Sequence, residues 1–99
     1  MMKYASLRGM ILEFLHKVYP NMVLELDIVS IFYRDYKDTA IRKSIAYLVD
    51  KGYVERIEKE HPIKRYDKQV FYKLTPKGVD LLEGTIKDEA IAIDDRDGV

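Results

Sequence analysis

The chain has no cysteine. Disulfides, thiolate catalysis and Cys-ligated zinc are therefore excluded. Histidine is scarce too. His16 and His61 are the two present, one in a helical stretch and one in a loop, and neither stands near a second histidine at ligand spacing. No metal site and no cofactor are expected. There is no Gly-rich phosphate loop and no Ser nucleophile motif. Carboxylates are plentiful, but none pairs within an apolar run as an acid/base dyad requires. No catalytic residues are assigned, and the chain reads as a non-enzyme. Long apolar runs are missing as well. The stretch after Met1 is broken by Arg8 and Glu13, which makes a poor signal peptide and no membrane span. A cytoplasmic protein is the expectation.

Net charge is also lacking, with 17 Lys/Arg against 17 Asp/Glu, but the balance is uneven along the chain. Residues 1–33 are neutral. Residues 34–73 carry an excess of four basic residues, and residues 74–99 an excess of four acidic ones. A basic middle suits a polyanionic partner, although the same pattern can be scatter over a solvated surface. With 99 residues, one domain with a modest core and little room for a deep substrate cavity is expected.

Hydrophobic spacing divides the chain into elements. Leu7, Met10, Ile11, Phe14, Leu15 and Val18 recur at helical spacing behind Ser6, a candidate cap, and Pro20-Asn21 ends that helix. Met22-Val23-Leu24 leaves room for a short edge strand or an extended linker. A second helix covers Glu25 to about Tyr33, with Leu26, Ile28, Val29 and Phe32 inward, and Arg34–Lys37 reads as a turn. Asp38 caps a third helix reaching about Lys51, with Ile41, Ile45, Leu48 and Val49 inward, and Gly52 supplies its left-handed end. The period then changes. Tyr53, Val54, Arg56 and Ile57 read as one strand, and Val70–Tyr72 with Leu74 as its return. Pro62 falls between them, where no ladder donor is lost. Thr75-Pro76 starts a last helix, packed by Val79, Leu81 and Leu82 and ended by Gly84.

Helix, short extended piece, helix, turn, helix, hairpin, helix is the order of a winged helix-turn-helix. The fold class expected is α+β, mainly α, with a three-helix core, a β-hairpin wing and a C-terminal helix. The runs Leu48-Val49-Asp50-Lys51-Gly52-Tyr53-Val54-Glu55 and Tyr72-Lys73-Leu74-Thr75-Pro76-Lys77-Gly78 resemble winged-helix regulators of the class that includes the MarR, PadR and ArsR families. This resemblance spans about residues 5–84. The stretch from Leu74 to Ile86 also resembles small winged-helix proteins of Mu-like phages and prophages. The resemblance implies a DNA-binding fold in a phage or prophage setting, without a known target. Winged helices also serve protein contacts, so fold alone does not settle function.

The recognition helix is placed at about residues 38–51 and the wing at 58–69. With Ile41, Ile45 and Leu48 inside, the third helix turns Thr39, Arg42, Lys43, Ala46, Tyr47 and Asp50 outward. The candidate DNA-binding residues are Lys37, Thr39, Arg42, Lys43 and Tyr47, with Lys64, Arg65 and Lys68 of the wing. Arg42 and Lys43 can meet guanine edges or phosphates. Thr39 can bond a phosphate or touch a thymine methyl, and Tyr47 can donate to a phosphate. The bland alternative is a solvated face in which Asp38 pairs with Arg42. Lys64, Arg65 and Lys68 around Tyr66 suit the DNA backbone or the minor groove. They equally suit a charged tip that binds nothing. Phe32, Tyr33 and Tyr36 are either boundary packing or an exposed patch for a partner.

Residues 1–84 form the domain and 85–99 an acidic tail. That tail can be disordered, can lay Ile86, Ala90, Ile91 and Ile93 on a second subunit, or can fold its acids over the basic face. The leading expectation is a DNA-binding transcriptional regulator, acting on double-stranded DNA as a homodimer. The rival is a winged-helix protein–protein interaction module, motivated by the neutral charge, the acidic end and the tyrosine-rich middle.

Overall fold

Helical periodicity is realised in four segments. These are α1 (Ala5–Lys17), α2 (Glu25–Phe32), α3 (Asp38–Asp50) and α4 (Pro76–Glu83). Three strands lie between them: β1 (Val23–Leu24), β2 (Val54–Glu60) and β3 (Lys68–Leu74). The computed structural model describes residues 4–93. Its element order is that of the α+β, mainly helical architecture expected, with a three-helix core, a hairpin and a closing helix.

The strands form one antiparallel sheet in the order β1-β3-β2. Val23 and Leu24 sit opposite Tyr72 and Phe71, so the short apolar piece before α2 is an edge strand. The β2–β3 ladder runs from Val54 opposite Leu74 to Glu60 opposite Lys68. It extends beyond the apolar alternation because opposite charges face each other across it. Glu55 stands against Lys73 and Glu60 against Lys68, and such cross-strand pairs support a ladder.

The core collects one face of each helix and one face of the sheet. Leu7, Ile11, Leu12, Leu15, Ile28, Ile41, Ile45, Leu48 and Leu74 are fully buried, each worth roughly 1.5–3 kcal/mol relative to exposure. Leu26, expected inside, is 60% exposed. The two-turn α2 is apolar nearly all round, so its periodicity does not choose a face, and packing selects Ile28 and Val29 instead. In α1, Met10 is partly exposed while Leu12 takes a core position.

Caps differ from expectation at two helices. Tyr4 rather than Ser6 precedes α1. Ala5, a strong helix former and buried, extends the helix by two residues. Lys37 rather than Asp38 precedes α3, without a side-chain cap bond, because the Asp38 carboxylate is taken by Arg42 one turn on. At the other end of α3 the expectation holds. Gly52 has φ 85, Gly52 N donates to Val49 O at 2.9 Å and Tyr53 N to Leu48 O at 3.0 Å. This is a Schellman ending, which needs a left-handed residue at that place. Thr75 caps α4, accepting from Gly78 N at 3.1 Å and donating to Gly52 O at 2.6 Å. That pair of bonds fastens the start of α4 to the end of α3.

Past Gly84 the chain folds back along α1. Ala92 N donates to Ala5 O at 3.0 Å, Arg8 Nη1 donates to Ala90 O at 3.1 Å, and Ile91 is buried. Ile86 and Ile93 also pack on this domain's own core rather than standing free. Gly9 allows the approach, since a Cβ there would lie 1.7 Å from Ala92 O. Residues 85–93 thus form a strap. The acids Asp94, Asp95 and Asp97 fall outside the described residues.

Candidate nucleic-acid interface

An α-helix advances 100° per residue. With Ile41, Ser44, Ile45 and Leu48 of α3 turned inward, Thr39, Lys43, Ala46 and Asp50 line the opposite face, and all four are exposed. Lys37, just ahead of the helix, is exposed as well. Neither Lys37 nor Lys43 has an ion-pair partner among the described residues. The methyl of Ala46 keeps the middle of this face low. Asp50 stands at the far end.

Arg42 and Tyr47 flank that face on opposite sides, and both are committed. Arg42 Nε donates to Asp38 Oδ1 and Nη1 donates to Glu25 Oε1 at 2.5 Å. The hydrogen bond it donates to Asp38, and the bond to Glu25, raise the guanidinium above its ordinary value against the effect of burial. Glu25 also accepts from the Tyr72 hydroxyl at 2.8 Å. Burial, and then the bond to Glu25, push the Tyr72 phenol up. Glu25 at the start of α2 therefore ties α3 to β3 through one carboxylate. The Asp38–Arg42 pair weighed from sequence does form, and its side chains remain 40–50% exposed, so it contributes little by itself.

Tyr47 is half-buried beneath the Arg8 guanidinium, whose carbon lies 3.8 Å from the ring centre. Its ring supports the strap side of the domain. Next to it, Lys51 Nζ lies 2.9 Å from Asp88 Oδ2, Tyr53 OH donates to the same oxygen at 2.7 Å, and Ala90 N donates to Oδ1 at 2.9 Å. Burial works against the charged Asp88, whose side chain is 10% exposed. The bonds from Lys51, Tyr53 and Ala90 outweigh it and hold the carboxyl down at about 2. Burial first, and then Asp88, push the Tyr53 phenol up to about 12.

On the hairpin, Lys64 and Arg65 are exposed and have no ion-pair partner among the described residues. Lys68 is exposed but lies 3.9 Å from Glu58, which also pairs with Arg56. Ile63 and Tyr66 share the apex with the two free cations.

A family model described as a winged helix DNA-binding domain matches residues 9–78. The chain belongs to this family. Comparison with curated proteins and with solved structures found no match. In this winged helix domain the helix-turn-helix pair is α2 and α3, and the wing is the β2–β3 hairpin. Among the described residues no helix is long and apolar enough to cross a membrane, and no group of three or more His, Asp or Glu could hold a metal ion.

Of the eight residues singled out from sequence, Lys37, Thr39 and Lys43 come together on the winged helix domain's exposed α3 face. Lys64, Arg65 and Lys68 come together on the wing. Arg42 and Tyr47 do not join either group as free contacts. Sequence reasoning passed over Arg8, Glu25 and Asp88, which hold the flanks. Their side-chain partners lie 17 or more positions away on other elements, and nothing in local spacing signals them. Tyr33 is exposed, while Phe32 and Tyr36 pack against the core. An open depression at the helix-turn-helix turn is lined by Tyr33, Arg34, Asp35, Tyr36 and Lys37.

Proposed function

We propose that the chain is a sequence-specific binder of double-stranded DNA, a transcriptional regulator rather than an enzyme. α3 enters the major groove by its amino half, where helix-turn-helix proteins meet base edges, and the wing lies on the adjacent backbone or minor groove. The observation that carries this reading is the exposed stripe Thr39–Lys43–Ala46 with Lys37 and Lys43, matched by Lys64 and Arg65 on the wing, four cations without an ion-pair partner among the described residues. Lys43 reaches a base edge or phosphate. Lys37, Lys64 and Arg65 neutralise phosphates. Arg42 serves chiefly to brace α3. A homodimer fits this role, since one small domain buries too little surface for tight specific binding. Two-fold symmetry would set recognition helices about 34 Å apart. A phage or prophage regulator is the setting that the Leu74–Ile86 resemblance supports.

The second reading is a protein-interaction module. Its observation is the exposure of Leu26 and Ile31 on α2 and of Tyr33 just after it. Fluorescence anisotropy with a random-sequence duplex, at low and moderate salt, separates the two. The DNA reading expects binding that falls steeply with salt and is lost in Lys43→Glu/Lys64→Glu/Arg65→Glu. Arg42 is left intact in that variant because reversing it would gather three carboxylates and test folding instead. If the wild type fails to bind at low salt, the DNA reading is withdrawn in favour of a protein partner.

A further inference from the structure

The apex of the wing spans residues 61–67, beyond the last ladder pair of Glu60 and Lys68. A seven-residue hairpin loop is ordinarily loose. This one is tied internally. His61 N donates to Asp67 O and Asp67 N donates to Lys64 O, both at 3.0 Å. His61 Nδ1 accepts from Ile63 N and from Lys64 N, both at 3.1 Å. Pro62 fixes one backbone dihedral between them. The loop is a held shape, carried about 20 Å out by a seven-residue ladder.

What it holds out is apolar. Ile63 is 84% exposed and Tyr66 is 95% exposed. Single exposed apolar side chains are ordinary. Two of them on a pinned apex, with unpaired Lys64 and Arg65 directly between them in sequence, make a tip that is apolar in part and cationic beside it. Such a tip matches the minor groove. That groove is about 6 Å wide, narrow enough for cations to meet phosphates on its rims while neighbouring side chains face the base edges. Apolar residues there act as wedges that part a base step and kink the duplex toward the major groove. The deformation is easiest at pyrimidine–purine steps.

Building on the DNA-binding reading, we infer that Ile63 and Tyr66 form a wedge that enters the minor groove, partly unstacks a flexible pyrimidine–purine step and bends the duplex. Lys64 and Arg65 grip the flanking phosphates, and His61 keeps the tip in shape. The domain then selects sites by deformability at a step beside the one α3 reads, as well as by base contacts.

The test uses a duplex with one TpA step, 2-aminopurine beside it, and a dye pair at its ends. Wild-type protein is expected to raise the 2-aminopurine fluorescence and to shorten the end-to-end distance. Ile63→Ser/Tyr66→Ser changes two exposed residues, so it folds, which a thermal melt verifies. It is expected to bind with an unchanged salt slope but to lose both signals. Replacing the TpA step by a stiff A-tract step lowers wild-type affinity about tenfold and leaves the variant's affinity unchanged. His61→Ala is expected to weaken the bend without abolishing binding. Salt-dependent binding with neither unstacking nor bending overturns the wedge and leaves the DNA reading standing. No binding by the wild type at low salt removes both. Capture of anionic phospholipid vesicles that depends on Ile63 and Tyr66, with DNA signals indifferent to them, assigns the tip to a lipid surface and also overturns the wedge.

Discussion

Gly9 sets two physical effects against each other. In a helix interior, glycine is weaker than alanine by about 0.5–1 kcal/mol, so propensity alone makes Gly9→Ala stabilising. The strap reverses the sign, because the new Cβ would stand 1.7 Å from the carbonyl oxygen of Ala92, which is backbone and cannot swing aside. Gly9→Ala is expected to lower stability by about 1–3 kcal/mol, as overpacking does, and to expose residues 85–93 to protease. A rise in the urea midpoint would mean the strap does not dock on α1 in solution. Asp88 tests the same strap through pH. Its folded value, about 2, lies below the unfolded carboxylate value. Its stabilisation is therefore present above pH about 4 and is lost as pH falls toward 2. Asp88→Asn is expected to cost about 1–2 kcal/mol at neutral pH, and the gap from wild type should close between pH 4 and 2. Urea midpoints at pH 7, 4 and 2.5 check this, and a gap that stays constant would remove Asp88 from the account.

Junctions between elements depend on a few side chains that serve two elements at once. Thr75 caps α4 and bonds back to Gly52 O. Thr75→Ala should lose about 1 kcal/mol for the cap and more for the second bond, while Thr75→Ser, keeping the hydroxyl, should recover most of it in a denaturant titration. Recovery no better than alanine would mean the methyl, not the hydroxyl, matters. Residues such as Thr75-Pro76 and Gly52 were legible in the sequence because caps and left-handed ends are local chemistry. The long α1 and α3 were legible because their apolar spacing spans three turns or more. Leu26 was not, since two apolar turns carry no preferred face. The Lys43 and Lys64–Arg65 cations read correctly as exposed because they fall opposite a buried stripe or in a loop. The bracing of Arg42 was hidden because Glu25 belongs to another helix. The strap was hidden because backbone bonds hold much of it, and those leave no pattern in side-chain type.

Charge is the property of the whole molecule that a partner meets first. Its sum is zero, yet steering responds to where charges lie rather than to their total. The basic excess lies in the segment that contains α3 and the wing. The acidic excess lies in residues 74–99. Part of that acid is already spent inside the fold, with Asp88 neutralised by Lys51, so it does not oppose a polyanion at full strength. The acids past Ile93 are a separate matter. Asp94, Asp95, Arg96 and Asp97 together bring a charge of −2. Ending the chain after Ile93 leaves every described contact of the strap in place and removes only that charge. The truncated chain is expected to bind random-sequence duplex about 2- to 10-fold more tightly at low salt, with an unchanged melting temperature. The advantage should fade as salt rises, because the screening length falls to about 3 Å at 1 M. Charge-neutral Asp94→Asn/Asp95→Asn in the full chain should reproduce the gain, since the effect belongs to charge and not to length. An affinity that is indifferent to these acids at every salt would show that the acidic end does not act on the basic face at all, and would leave the hold of residues 85–93 on α1 as the role that the described contacts support.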